Sequence, residues 1–176
     1  DVLVFEGVSN KYTFLYWATV DKPDQWHLLS DKPVNVIYPL VPVSNDEVAY
    51  YDGNKARLAN IKTGKLSNLN IPDCIPYLWR ERTHQLLCSS GDSFNYFLIN
   101  LNGTGRQILN IGENHVPLYY IDQLDIGVFN GVRLSLSGGI HEVGTLWFYD
   151  FGTHAMTKIS DDAAVGVNGV IWYPYN

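Results

Sequence analysis

What this chain lacks narrows its reading first. No apolar run reaches the roughly 20 residues that a membrane-spanning helix needs, so helical membrane insertion is not expected. Basic residues are outnumbered, 12 against 18, and the net charge of −6 argues against binding to a phosphate backbone; no nucleic-acid partner is expected. No GxSxG elbow is present to place a serine nucleophile. The sialidase aspartate box is missing, as are HExxH and CxxC, and the five histidines (27, 84, 115, 141 and 154) are scattered. Catalytic residues, metal ligands and cofactors are therefore all expected to be none. The chain opens without a signal peptide or a Met, which points to a start after processing or at a cut.

What is present is a strand-forming composition. Hydrophobic residues make up 46% of 176 residues and aromatics 14%, with 12 Tyr and 5 Trp. Fifteen Gly and eight Pro break this material into short lengths. That mix favours short strands with tight turns over helices. The length suggests one domain with a sizeable core.

The order of those short lengths repeats. NIKTGKLSNL (60–69), NLNGTGRQIL (100–109) and DFGTHAMTKI (150–159) share one pattern: an apolar run, a small polar turn, a second run. VDKPDQWHLL (20–29) is a weaker copy. Each unit is followed by a third apolar run: VIYPLVPV (36–43), IPYLWRE (75–81), PLYYID (117–122) and GVIWYP (169–174). Three of these lead into a fourth run, EVAYY (47–51), QLLCSS (85–90) or LDIGVFN (124–130). Four strands per unit, a to d in blade order, are thus predicted. The spacing between Val20, Ile61, Leu101 and Phe151 is 41, 40 and 50 residues. Four strands at a period near forty mark a β-propeller blade, which buries its faces only by stacking on neighbours.

The expected fold is all-β, a propeller of about four blades of four antiparallel strands. Blade 1 is assigned to 1–30 plus 167–176, blade 2 to 36–70, blade 3 to 75–110 and blade 4 to 117–160. The N-terminal part supplies strands b, c and d, and GVIWYP supplies strand a. That division closes propeller rings with a blade shared between the termini. A fragment of a larger ring, or two chains sharing an eight-bladed ring as a homodimer, are the alternatives.

IYP (37–39) and IWYP (171–174) resemble the blade-opening stretch of the TolB-like, or WD40-like, propeller family. ANIKTGK and LINLNGTGR resemble its turn, in which a strand ends in Asp or Asn before a small residue and Gly. The family's Asp-Gly turn between strands a and b is replaced here by SND (44–46), RTH (82–84) and DQ (122–123). The resemblance implies a binding module for proteins, peptides or glycans, although a fold does not determine function.

Cys74 and Cys88 are expected to be free thiols. A turn at Arg82–Thr83 sets Cys88 opposite Leu78, four residues from Cys74, or roughly 13 Å at strand rise. That exceeds disulfide reach. The sequon Asn102-Gly103-Thr104 lies in a predicted turn and can carry a glycan in a secreted eukaryotic protein. The compartment stays open, with a secreted or periplasmic location favoured over a cytoplasmic one.

The aromatics of strand a are the candidate ligand-binding residues: Tyr38, Tyr77, Trp79, Tyr119, Tyr120 and Trp172, with Arg80 at one rim. Strand a lies nearest a propeller's axis, and side chains alternate along it, so half can pack between blades and half can face a ligand. Aromatic rings offer a rigid apolar face with a polar tip, suited to a peptide or a sugar. A second reading, a small propeller hydrolase or lyase, would use loop carboxylates such as Glu113 and Glu142; His115 and His141, in the same predicted loops, read as solvated histidines rather than a metal pair. Asp52 reads as a hairpin-turn residue, and Asp161 and Asp162 as turn charges after a strand.

Overall fold

The computed structural model describes residues 2–9, 12–30, 33–34, 38–91, 95–112, 115–131 and 144–163. Its strands are β1 (Val2–Ser9), β2 (Tyr12–Thr19), β3 (Lys22–Leu28), β4 (Val41–Pro42), β5 (Glu47–Tyr51), β6 (Ala56–Asn60), β7 (Lys65–Asn68), β8 (Ile75–Arg80), β9 (Gln85–Ser89), β10 (Tyr96–Asn100), β11 (Gln107–Leu109), β12 (His115–Ile121), β13 (Ile126–Gly131), β14 (Gly144–Asp150) and β15 (Ala155–Ala163). They form four antiparallel meanders, β1-β2-β3, β4-β5-β6-β7, β8-β9-β10-β11 and β12-β13-β14-β15. The last three are complete four-stranded blades. The strand expected to complete the first, within 167–176, lies outside the described residues, as does the ring closure it would make.

The chain divides into two compact units. One holds the first two sheets and most of the third; the other holds the fourth sheet with Phe94–Tyr96 and the chain from Ile108 onward.

The recurring c–d turn has a local chemical cause. Asn60 ends β6, and its Oδ1 accepts from the Thr63 N–H at 3.0 Å and the Thr63 hydroxyl at 2.9 Å. Asp150 ends β14, and its Oδ1 accepts from the Gly152 and Thr153 N–H groups at 2.8 and 2.9 Å. Such side-chain-to-backbone bonds close turns by themselves. The third copy moves the cap along by two: Asn102 Oδ1 takes the Thr104 N–H at 3.0 Å. Asn100 instead donates from Nδ2 to the Thr104 hydroxyl at 3.1 Å. Ile61 and Phe151, one residue past their caps, are buried and pin the turns to the core.

The a–b turns that lack Asp-Gly use another device. Glu81–Thr83 and Asp122–Leu124 each form a short 3-10 turn that ends on a left-handed residue, His84 (φ 53°) and Asp125 (φ 56°). Asp125 suits that conformation because its short polar chain is held locally: Tyr120 Oη donates to its Oδ1 at 2.8 Å.

Alternation along the strands builds the core of the first unit. Ala49 on β5 faces a cluster with Val41, Val43, Ala56, Leu86, Phe97 and Ile99, so the second and third sheets pack face to face. Tyr50, its neighbour, points the other way, into a cluster with Leu15, Leu29 and Ala59 that joins the first and second sheets. Ala49, Ala56 and Ala59 are fully buried. Burying each larger side chain stabilises by roughly 1.5–3 kcal/mol. The other face of the first sheet carries aromatic and aliphatic side chains. Phe5 stacks on Tyr16, Trp26 meets Tyr16 edge-on, and Leu3, Trp26 and Leu28 are about half exposed.

Three expectations are corrected here. Cys74 and Cys88 form a disulfide with Cα atoms 5.1 Å apart. The 3-10 turn pairs Arg80 with Gln85, and a bulge at Tyr77 shifts the register again, so Cys88 faces Pro76 rather than Leu78. Cys74 is then two residues away on the same face, a diagonal neighbour within reach. Tyr38 lies in a bend rather than on a strand, because this inner strand is only Val41–Pro42. Asp161 and Asp162 fall within β15 rather than in a turn after it.

Candidate functional site

The a–b and c–d turns of an antiparallel blade lie at the same end of its sheet. The a–b turn of the second sheet and both turns of the third line a shallow cleft of about 500 Å³. Val43, Ser44 and Glu47 come from the second sheet; Trp79, Thr83, His84, Asn100, Leu101 and Asn102 come from the third. A larger cleft of about 560 Å³, lined by Val4, Leu40, Pro42, Ser44, Asn45, Asp46, Val48 and Ile61, shows no aromatic side chain among the described residues. The smaller one is the candidate, since a rigid ring beside polar groups is what recognition needs.

Trp79 sits near the end of β8, half-buried, with one side packed on the core between the two sheets. Its indole N–H donates to Glu81 Oε2 at 2.5 Å. The His84 ring lies 6.0 Å away, tilted by 40°. Core packing and the carboxylate therefore fix the ring, while the turn residues leave it reachable. Glu47 opens β5; its backbone carbonyl accepts from the Val43 and Ser44 N–H groups at 2.9 and 3.2 Å, which anchors the residue at the cleft. Close by, Lys62 Nζ pairs with Asp46 Oδ2 at 2.6 Å.

The structure distributes the sequence candidates over several places. Tyr38 and Tyr77 meet edge-on with ring centroids 5.9 Å apart, and Tyr38 also meets Tyr51 at 5.7 Å. Trp79 lines the cleft, and Arg80 follows it, half-buried, opposite Gln85. In the second unit Tyr119 is 64% exposed, whereas Tyr120 is tied to Asp125 and rests edge-on against Phe151. Trp172 lies outside the described residues. Glu47, Ser44, His84 and Asn102 were not singled out as cleft residues in the sequence. Their signal was positional: each falls in or beside an a–b or c–d turn, and those turns share one end of the blade.

Of the loop residues named with the catalytic reading, Glu113, His141 and Glu142 lie outside the described residues. His115, expected in a loop, is on β12. Its ring meets Trp147 edge-on at 4.9 Å, and its Nδ1 is buried without a hydrogen-bond partner among the described residues. Among the described residues no three His, Cys, Asp or Glu side chains gather as a metal site.

No protein-family model and no curated protein matches the sequence. Solved structures do match in shape. A chain in the crystal structure of a nidogen/laminin complex superposes with a TM-score of 0.69 at 10% identity, covering 94% of this chain and 62% of that one. The putative TolB from Agrobacterium tumefaciens gives 0.61 at 8% identity, covering 89% and 60%. Both are β-propellers, and with the four meanders they make this chain an all-β propeller fold of about four blades. The chain spans about six-tenths of the length of these solved structures.

Proposed function

We propose that this chain is a binding module without chemistry of its own, docking a protein or peptide in the Trp79 cleft. The observation that carries the reading is the Trp79 ring, held by the core and by Glu81, among polar turn residues of two sheets. Fixed aromatics in such settings supply large contact area at little entropic cost. One structural neighbour was solved as part of a protein–protein complex, which fits a protein partner. The Cys74–Cys88 disulfide fits an oxidising compartment, secreted or periplasmic. Homodimer formation stays a proposal, with the exposed Leu3, Trp26 and Leu28 of the first sheet as a contact to test.

Selection of displayed peptides against the folded chain tests the module. Enriched peptides should lose most of their affinity for Trp79→Ala and keep it for Tyr119→Ala. Peptides insensitive to Trp79, or enrichment only on a glycan array, would contradict the reading.

A further inference from the structure

Resting on that reading, we infer that the Trp79 cleft recognises a basic side chain of its partner, an arginine above all. Three features of the cleft converge on a cation. Glu47 lines it half-buried, and its carboxylate has no hydrogen-bond or ion-pair partner among the described residues. An incoming cation would give that carboxylate a charge-assisted hydrogen-bond partner. The nearby Lys62 ammonium does not serve, being committed to Asp46 at 2.6 Å.

The second feature is the ring. Trp79 is the best side-chain surface for a cation–π contact. Its edge N–H is tied to Glu81, so the ring is oriented and the carboxylate adds negative potential beside it. The third is the polar lining of Ser44 and Asn100, which offers side-chain oxygen acceptors, the Asn102 Oδ1 being already taken up by Thr104. A guanidinium carries five donors and no acceptor, and it stacks on aromatic faces. An acidic ligand group would instead meet Glu47 and Glu81. The chain's net charge of −6 steers cations toward it.

The experiment uses the whole chain, isotopically labelled, and follows the Trp79 indole N–H resonance. The probes are the amides of N-acetyl-arginine, of the neutral isostere N-acetyl-citrulline and of N-acetyl-glutamate. The arginine probe should shift the resonance saturably, with the citrulline probe roughly tenfold weaker and the glutamate probe inactive. Glu47→Gln should weaken the arginine probe by roughly three- to tenfold at unchanged melting temperature, and added salt should weaken it further. Equal binding of arginine and citrulline probes, or no effect of Glu47→Gln, overturns the inference. Displayed peptides that need Trp79 but contain no Arg or Lys overturn it too, while leaving the docking reading intact. Absence of any Trp79-dependent peptide removes both.

Discussion

Trp79 and Glu81, two residues apart across the end of β8, are joined side chain to side chain, indole N–H to carboxylate, at 2.5 Å. Glu81 is exposed on its 3-10 turn, so the bond adds little to folding but sets the orientation of a ring that the cleft depends on. Glu81→Ala should change unfolding free energy by less than about 1 kcal/mol in urea titration. The same variant should weaken peptides that need Trp79 by more than the stability change alone implies. A large stability loss with unchanged binding would place the bond in the folding account instead.

The disulfide closes a loop with a sequence separation of 14 and is buried in the core. A loop of that size contributes about 3 kcal/mol in the chain-entropy model. The folded protein should show no thiol toward Ellman's reagent, and Cys74→Ala with Cys88→Ala should lower stability by about 2–4 kcal/mol. Two readily titrated thiols in unreduced protein would contradict the pairing.

Asp52 holds the β5–β6 turn. Burial on its own would raise its pKa, but the Lys55 and Asn54 N–H groups and the Arg57 guanidinium outweigh burial and hold it below the ordinary carboxylate value. A depressed folded-state pKa gives stability that is present above the unfolded value, near 3.8, and is lost as pH falls through the folded value. Asp52→Asn should cost about 1 kcal/mol at neutral pH, because the ion pair goes while an oxygen remains for the turn. The gap between variant and wild type in chemical denaturation should close below about pH 4. A gap that widens in acid would reverse the sign.

Two glycines separate backbone conformation from space. Gly64 has φ +65° with nothing near the position of a Cβ, whereas Gly103 has φ +82° and a Cβ there would lie 2.9 Å from the Asn70 carbonyl oxygen. Gly64→Ala should cost about 1 kcal/mol for the left-handed conformation alone. Gly103→Ala should cost at least about 1 kcal/mol more, because the clash is with backbone that cannot swing away. Equal melting shifts for the two variants would refute the packing around the third c–d turn.

The blades were legible because their cause is local. Asn60 and Asp150 cap turns within three residues, and Ile61 and Phe151 bury directly after them, so the period appears in the sequence as a repeated short pattern. The disulfide was hidden because it depends on two register choices, a 3-10 turn at Glu81–Thr83 and a bulge at Tyr77, that composition does not reveal. Tyr38 was misplaced for a similar reason: an apolar run does not say how much of itself will pair. The cleft was half-visible. Trp79 stood out as an aromatic, but Glu47 and Asn102 became neighbours only once two sheets packed and brought their turns to one end.

The five tryptophans make the central claim directly measurable, since Trp17, Trp26, Trp79, Trp147 and Trp172 report different parts of the chain. The measurement is the indole N–H spectrum of the labelled chain during titration with a selected peptide. The account predicts that the Trp79 signal moves first and furthest, and that Glu47→Gln reduces the affinity read from it. A spectrum in which Trp26 or Trp147 responds while Trp79 stays fixed would move the binding surface elsewhere and contradict the account.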